Sequence, residues 1–238
     1  VSVQNPSTFL ELCQRTASEC STSLTGPSDT TTQTGRLGQI VNWVNTAWID
    51  VQTKYNDWRF MRSSFTVNTT SGDGKYAITD CTDTVSSASL TVAGFRKWEL
   101  DSFKIFLVSA GVATETDLCY LVYDDWYRQW NVGSPSNSYP GWFSVDHDKA
   151  ILLAPKPDGI YTVRGEYVKA ATLMVGDADE PELPQEYRMA VVYRAMYYYG
   201  RYQGAPEVRA EGEMQYNRLL REMSRTERPA LLVGGALA

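Results

Sequence analysis

Between Thr34 and Arg62, Leu37, Ile40, Val41, Val44, Ala47, Trp48, Val51, Tyr55 and Trp58 fall on one broad stripe at the helical period, which predicts a long amphipathic helix. Two large residues miss that stripe. Trp43 lies roughly 100° to one side of its centre and Ile49 well to the other, so this helix carries more apolar surface than one buried face uses. Upstream, Thr8 and Glu11 have capping-box spacing, and Phe9, Leu10, Cys13 and Ala17 make a short amphipathic helix. The intervening STSLTGPSDTTTQTG, residues 21–35, has no periodic apolar face and reads as a surface loop.

After Arg62 the period changes to two. Phe65 and Val67, an SGDG turn, then Tyr76 and Ile78 predict a hairpin with one buried face. Further strands are expected over Lys97–Leu107, Asp117–Tyr123, Lys149–Leu153 and Gly159–Tyr167, with APKPDG reversing the chain between the last two. From Pro184 the helical period returns, but EYRMAVVYRAMYYYGRYQG is apolar nearly all round, as in a helix packed on several sides. A last helix opens at Ala205-Pro206 and carries Val208, Gly212, Tyr216, Leu219, Leu220 and Met223 on one stripe. PALLVGGALA, residues 229–238, has no charged residue and suits docking on a partner better than free solution.

Helices at both ends must meet, because no single amphipathic pair holds a stable core alone. The expected class is α+β: a discontinuous helical bundle from residues 1–62 and 178–238, interrupted by a β-rich insertion, a small sheet or barrel-like, over 63–177. Residues 229–238 form an extended docking tail in this scheme.

A chain of 238 residues that is 43% hydrophobic hides roughly 70–75% of its unfolded surface, enough for a proper core. The formal charge of -6 argues against sequence-independent adhesion to phosphate or to an anionic membrane. Cys13, Cys20, Cys81 and Cys119 form no CxxC pair, His147 is the lone histidine, and no apolar run reaches the roughly 18 residues of a membrane span. The reading is four reduced thiols in a soluble protein, with no metal and no cofactor expected.

Candidate chemistry is thin. Asp146-His147-Asp148 offers metal-ligand atoms, yet consecutive extended residues point to alternate sides. Asp124 or Asp125 with Glu166 would serve glycan hydrolysis only if a cleft brought them to about 5–10 Å. Tyr123, Trp126, Tyr127 and Trp130, followed by Tyr139 and Trp142, suit either a carbohydrate-stacking platform or a core or protein contact. GPSDTTTQTG lacks the lysine of a phosphate loop, and neither a nucleophile elbow nor HExxH is present, so no catalytic residue is assigned.

FLELCQR, the Ser/Thr/Gly loop, GQIVNWVNTAWIDVQTKYNDWRFMR, a β-rich middle and ELPQEYRMAVVYRAMYYYGRYQGAPEVRAEGEMQYNRLLREM together resemble the head-to-tail adaptor (connector) proteins of tailed bacteriophages. The likeness runs along nearly the whole chain and is strongest over 40–62 and 183–223. It implies a structural virion protein made in the bacterial cytoplasm and placed at the neck. In that role a homo-oligomeric ring of about twelve copies joins the portal to tail or neck proteins, and DNA passes through without specific binding. No membrane is involved. A carbohydrate-binding or tail-surface module is the alternative class, and the hydrolase a third.

Head-to-tail contacts are heterologous, so a ring subunit needs two different lateral surfaces. That need accounts for Trp43 and Ile49, at least one of which is expected on a neighbouring subunit. Arg194 and Arg201, seven residues apart on one face, are further interface candidates. An intrachain pairing with Glu211 or Glu213 is the other reading for them. Leu231, Leu232 and Val233 are expected to bury on a neighbour or on the portal, at about 1.5–3 kcal/mol for each fully buried side chain.

Overall fold

The structure, a computed structural model, describes residues 6–21, 25–133 and 136–228. Among them are five helices: α1 (Phe9–Glu19), α2 (Gly35–Lys54), α3 (Tyr123–Trp130), α4 (Met189–Gln203) and α5 (Pro206–Thr226). The chain divides into a helical unit, residues 1–61 with 171–238, and a β unit, residues 62–170. It is an α+β protein in which both ends of the chain build the helices.

In the helical unit α1 starts at the predicted capping box: Thr8 Oγ1 accepts from the Glu11 N–H at 3.3 Å, and Glu11 Oε2 accepts from the Thr8 N–H at 3.4 Å. Its buried stripe is Phe9, Leu12, Cys13, Thr16 and Ala17, so Leu12 takes the inward place and Leu10 the flank. Helix α2 stops at Lys54 rather than Arg62. Tyr55 turns extended, and Trp58 folds back under the helix end, fully buried, with its indole N–H on the Val51 carbonyl at 2.9 Å. Residues 171–175 run along α2 because two of its amides act as strand partners. Asn45 donates to Met174 O at 2.9 Å and accepts from its N–H at 3.0 Å, and Gln52 does the same for Thr172 at 2.9 and 3.0 Å.

Helix α4 touches α1, α2 and α5, which is why its sequence is apolar on every side. It ends on Gly204 at φ +66°, and Pro206 opens α5 in its first turn. The two helices approach so closely that a Cβ on Gly212 would sit 2.7 Å from the Tyr193 carbonyl oxygen, and one on Gly200 would sit 2.6 Å from the Arg209 nitrogen.

The β unit has nine strands among the described residues: β1 (Arg62–Asn68), β2 (Lys75–Tyr76), β3 (Thr82–Asp83), β4 (Phe95–Leu107), β5 (Thr116–Asp117), β6 (Cys119–Tyr120), β7 (Trp142–Val145), β8 (Ile151–Ala154) and β9 (Tyr161–Lys169). They form a five-stranded sheet ordered β3-β1-β9-β4-β5 and a four-stranded sheet ordered β2-β8-β7-β6. The hairpin expected from Phe65 to Ile78 does not form. Strand β1 pairs with β9 from Arg62↔Val168 to Asn68↔Thr162, whereas β2 pairs with β8 in the other sheet and Ile78 lies in a 3₁₀ turn. The APKPDG segment likewise changes sheets instead of reversing within one. These two crossings travel together: the Gly72 N–H donates to Pro157 O at 2.8 Å, Ser71 Oγ to Asp158 O at 3.1 Å, and Thr69 Oγ1 to Gly159 O at 3.2 Å. Alternation reports which residues face inward, but a longer partner strand decides the pairing.

The expected strand Asp117–Tyr123 breaks into β5, β6 and the start of α3. Strand β6 runs parallel to β7, and a parallel pair needs a crossover, which α3 supplies. The core between the sheets is aromatic. Phe103 of β4 stacks on Phe143 of β7 at 4.1 Å, and Phe65 meets Trp98 at 4.5 Å. Gly165 of β9 faces this cluster, where a Cβ would come 3.0 Å from Phe65 and 3.2 Å from Phe103. At the sheet edge the buried Asp83 carboxylate accepts from Ser63 Oγ at 2.6 Å, Tyr167 Oη at 2.7 Å and the backbone N–H groups of Val85 and Ser86 at 2.8 and 2.7 Å. Burial pushes the Asp83 pKa up, but these donors together outweigh it and hold the carboxyl well below its ordinary value.

Two outcomes follow from this packing. Gly212→Ala gains helix propensity of about 1 kcal/mol but forces backbone atoms apart at roughly 1–3 kcal/mol, so urea unfolding should show a lower midpoint for the helical unit; a raised midpoint contradicts the close approach. Because the folded pKa of Asp83 is depressed, its stabilisation is complete above the unfolded value near 3.9 and fades as pH falls through the folded value. Asp83→Asn should therefore flatten the acid limb of the β unit's stability profile while costing about 1–3 kcal/mol at neutral pH, read by thermal melts across pH.

Candidate functional site

The residues singled out in the helical unit lie on α2 and α4. Trp43 is half-buried against α4, edge-on to Tyr199 at 5.9 Å and tilted over Tyr202 at 5.4 Å. Tyr202 itself is 61% exposed, so this aromatic seam continues to the surface. Ile49, one turn and a half along α2, is half-buried as well.

Arg194 pairs with Asp50 of α2 at 2.6 Å rather than with Glu211 or Glu213, and Tyr198 Oη donates to the same carboxylate oxygen. The guanidinium also lies 4.8, 5.0 and 5.4 Å from the ring centres of Tyr197, Tyr198 and Tyr216. Burial lowers the Arg194 pKa, but the Asp50 hydrogen bond and neighbouring charges reverse that and leave it raised. Burial pushes the Tyr216 hydroxyl up to about 12. Arg194 thus ties α4 to α2 inside one chain, while Arg201 is exposed. Sequence periodicity placed Arg194 and Arg201 on one face but gave no sign of Asp50, 144 residues away from Arg194. At the end of α5, Arg228 grips Asp57 through Nε at 3.1 Å and Nη2 at 3.1 Å and lies 4.4 Å from the Tyr55 ring centre, so residues 229–238 leave from an anchored point. Leu231, Leu232 and Val233 lie outside the described residues.

The β unit carries a cleft of about 570 Å³. One wall is the face of α3 bearing Tyr123, Trp126, Tyr127 and Trp130, and the other is β8 with the loop that follows it. Helix α3 buries none of its residues fully: Tyr127 is 51% exposed, and neighbouring Trp142 40%. The indole nitrogens of Trp126 and Trp130 are enclosed yet have no hydrogen-bond partner among the described residues. Lys75, also lining the cleft, pairs with Asp146 at 2.6 Å, which raises the Lys75 pKa. In Asp146 burial favours protonation, but Lys75 and the Ala150 N–H outweigh it and lower the pKa.

The remaining candidates are structural in place. Asp146 Oδ1 accepts from the N–H groups of Asp148 and Ala150 at 2.9 and 2.8 Å, closing a turn, and the His147 ring lies 4.8 Å from Tyr123. Among the described residues no group of three or more His, Cys, Asp or Glu is arranged to hold a metal ion. Asp124 and Asp125 are exposed on α3, with Asp125 near Arg128 at 3.7 Å; Glu166 is exposed on β9, 3.7 Å from Arg62. None of these three carboxylates lines the cleft. Cys13, Cys20 and Cys81 are buried free thiols, and burial holds Cys20 and Cys81 each up at about 12, while Cys119 is exposed. No helix among the described residues is long and apolar enough to cross a membrane.

The described residues thus form a helical unit closed by both ends of the chain and an inserted β unit, each with a partly exposed aromatic surface. The chain belongs to the SU10 adaptor protein family, whose sequence model matches residues 7–234. The resemblance read from the sequence was to this same kind of phage adaptor. Membership implies a structural rather than an enzymatic protein, with portal and tail proteins as partners and the neck of the virion as its place. A search of the curated proteins found no match.

The Arg194–Asp50 link is open to measurement. Asp50→Asn leaves a half-buried guanidinium with one neutral acceptor, and a double-mutant cycle with Arg194→Met should return a coupling of roughly 1–3 kcal/mol in unfolding free energy. A coupling near zero would mean the pair does not hold α2 to α4.

Proposed function

We propose that this chain is the subunit of a head-to-tail adaptor ring: about twelve copies assemble beneath the portal, join it to the tail and leave an axial path for DNA. The observation that carries the reading is the family match over residues 7–234, nearly the whole chain and both strands of the discontinuous helical unit. The aromatic seam adds to it. Trp43 is only half covered by α4, and the ring beside it, Tyr202, is mostly exposed, which suits a side chain completed by a neighbouring copy. Ile49, on the opposite flank of α2, serves the second lateral surface, and the exposed Arg201 adds a lateral contact; Arg194 contributes by holding α2 and α4 together. The formal charge of -6 suits a conduit through which phosphate must slide, since strong cationic contacts would release counterions and grip the duplex. Leu231, Leu232 and Val233 act as a docking segment on a neighbour or the portal.

Mass measurement of the purified chain with and without its portal tests the ring directly. A closed oligomer on the portal is expected, even if the isolated chain is a monomer, because binding drives assembly by mass action. A chain absent from the mature particle refutes the proposal. Trp43→Ala should weaken lateral association by about 2 kcal/mol or more, as truncating a central aromatic does, and light scattering with portal present reads it. Unchanged assembly would remove Trp43 from the interface.

A further inference from the structure

We infer that the aromatic cleft of the β unit receives residues 229–238 of a second copy, bound as an extended chain. The inference rests on the adaptor reading, in which copies stand side by side, and supplies the docking segment with a receptor.

Charge is the first ground. The cleft is lined by two acids, Asp73 and Asp146, and two bases, Lys75 and Lys156, and Lys75 is already neutralised by Asp146 at 2.6 Å. Such a site selects neither an anion nor a cation. PALLVGGALA carries no ionisable side chain, and its aliphatic groups suit walls built from Trp and Tyr rings.

Hydrogen bonding is the second. Trp126 and Trp130 both hold enclosed indole N–H groups without an acceptor among the described residues, and an enclosed donor left unpaired is a standing penalty. Backbone carbonyls arriving in the cleft relieve it once the rings turn to meet them. The spacing is commensurate. Residues four apart on a helix are separated by about 6 Å along its axis, and carbonyls two apart on an extended chain point the same way at about 6.6–6.8 Å.

Reach is the third. The segment departs from Arg228, held by Asp57 at 3.1 Å, and ten extended residues span up to about 33–36 Å. A segment of that length suits contact with a second copy.

The test uses the full-length chain with Leu231→Asp and Leu232→Asp, which disables its own segment, and a fluorescent synthetic peptide of residues 229–238 followed by anisotropy. Saturable binding is expected, nearly unchanged between about 0.05 and 0.5 M salt because no net charge is engaged. Adding Trp126→Phe with Trp130→Phe keeps an aromatic ring at each position but removes both donors, and should weaken binding at least about tenfold, with an unaltered melting curve showing that the fold survives. Dilute wild-type chain should bind the peptide as well as the Asp variant does. No saturable binding, or affinity indifferent to the Phe pair, overturns the inference. So does binding by the Asp variant alone, which would place the occupant in the same chain, or a cleft that takes neutral disaccharides and ignores the peptide. Ring formation on the portal by a chain whose cleft ignores the peptide would leave the adaptor reading intact; peptide binding without any ring would count against that reading instead.

Discussion

Helix α4 is exposed only at Arg201 and Tyr202, in its last turn. Its buried residues, Met189, Ala190, Val191, Val192, Ala195, Met196, Tyr199 and Gly200, cover a wide arc of the helix, and the cover comes from α1, α2 and α5 together. Two of those helices come from the other end of the chain. Burial of a few such side chains, each worth roughly 1.5–3 kcal/mol, outweighs what closing a long loop costs, which grows only slowly with its length. Residues 62–170 are thereby an insertion, which has to fold as a unit whose two ends leave together. Antiparallel pairing of β1 with β9 does this: Arg62, the first residue of the β unit, lies opposite Val168, close to its last.

The β unit meets that requirement with two sheets and an aromatic core between them. Two of its sheet-changing passages, β1 to β2 and β8 to β9, are tied to each other by three hydrogen bonds from Thr69, Ser71 and Gly72. The parallel step from β6 to β7 needs a crossover longer than a turn, and α3 fills it. The cleft is thus a consequence of topology: a short helix laid beside a sheet leaves a groove between them, and the groove takes its character from the residues that happen to face it, here Trp126 and Trp130.

For a protein that works by contact, the informative surfaces are those where apolar area is incompletely covered. The seam from Trp43 to Tyr202 and the face of α3 are two such surfaces, in different units, and residues 229–238 provide a third apolar element. An adaptor ring must bind like copies sideways and unlike proteins above and below, which calls for several separate faces of this kind rather than one deep site. The acidic balance of the chain keeps nucleic acid from competing for them.

Much of the helical unit was legible in the sequence because local rules write it. The Thr8–Glu11 cap, the α2 stripe and the Pro206 start each depend on residues within a turn or two of one another. Trp43 and Ile49 stood out by the same periodicity. The β unit was legible only in part. Alternation marked Phe65, Val67 and Tyr76 as inward, but β1 found its partner about a hundred residues away, and aromatic spacing in YDDWYRQW did not announce a helix. Arg194 meeting Asp50, and Asn45 and Gln52 holding residues 172–174, were likewise beyond reach. Sequence alone determined which segments have a face to bury; tertiary structure decided what buries it, since period is a property of neighbours in the chain and pairing is a competition among all segments at once.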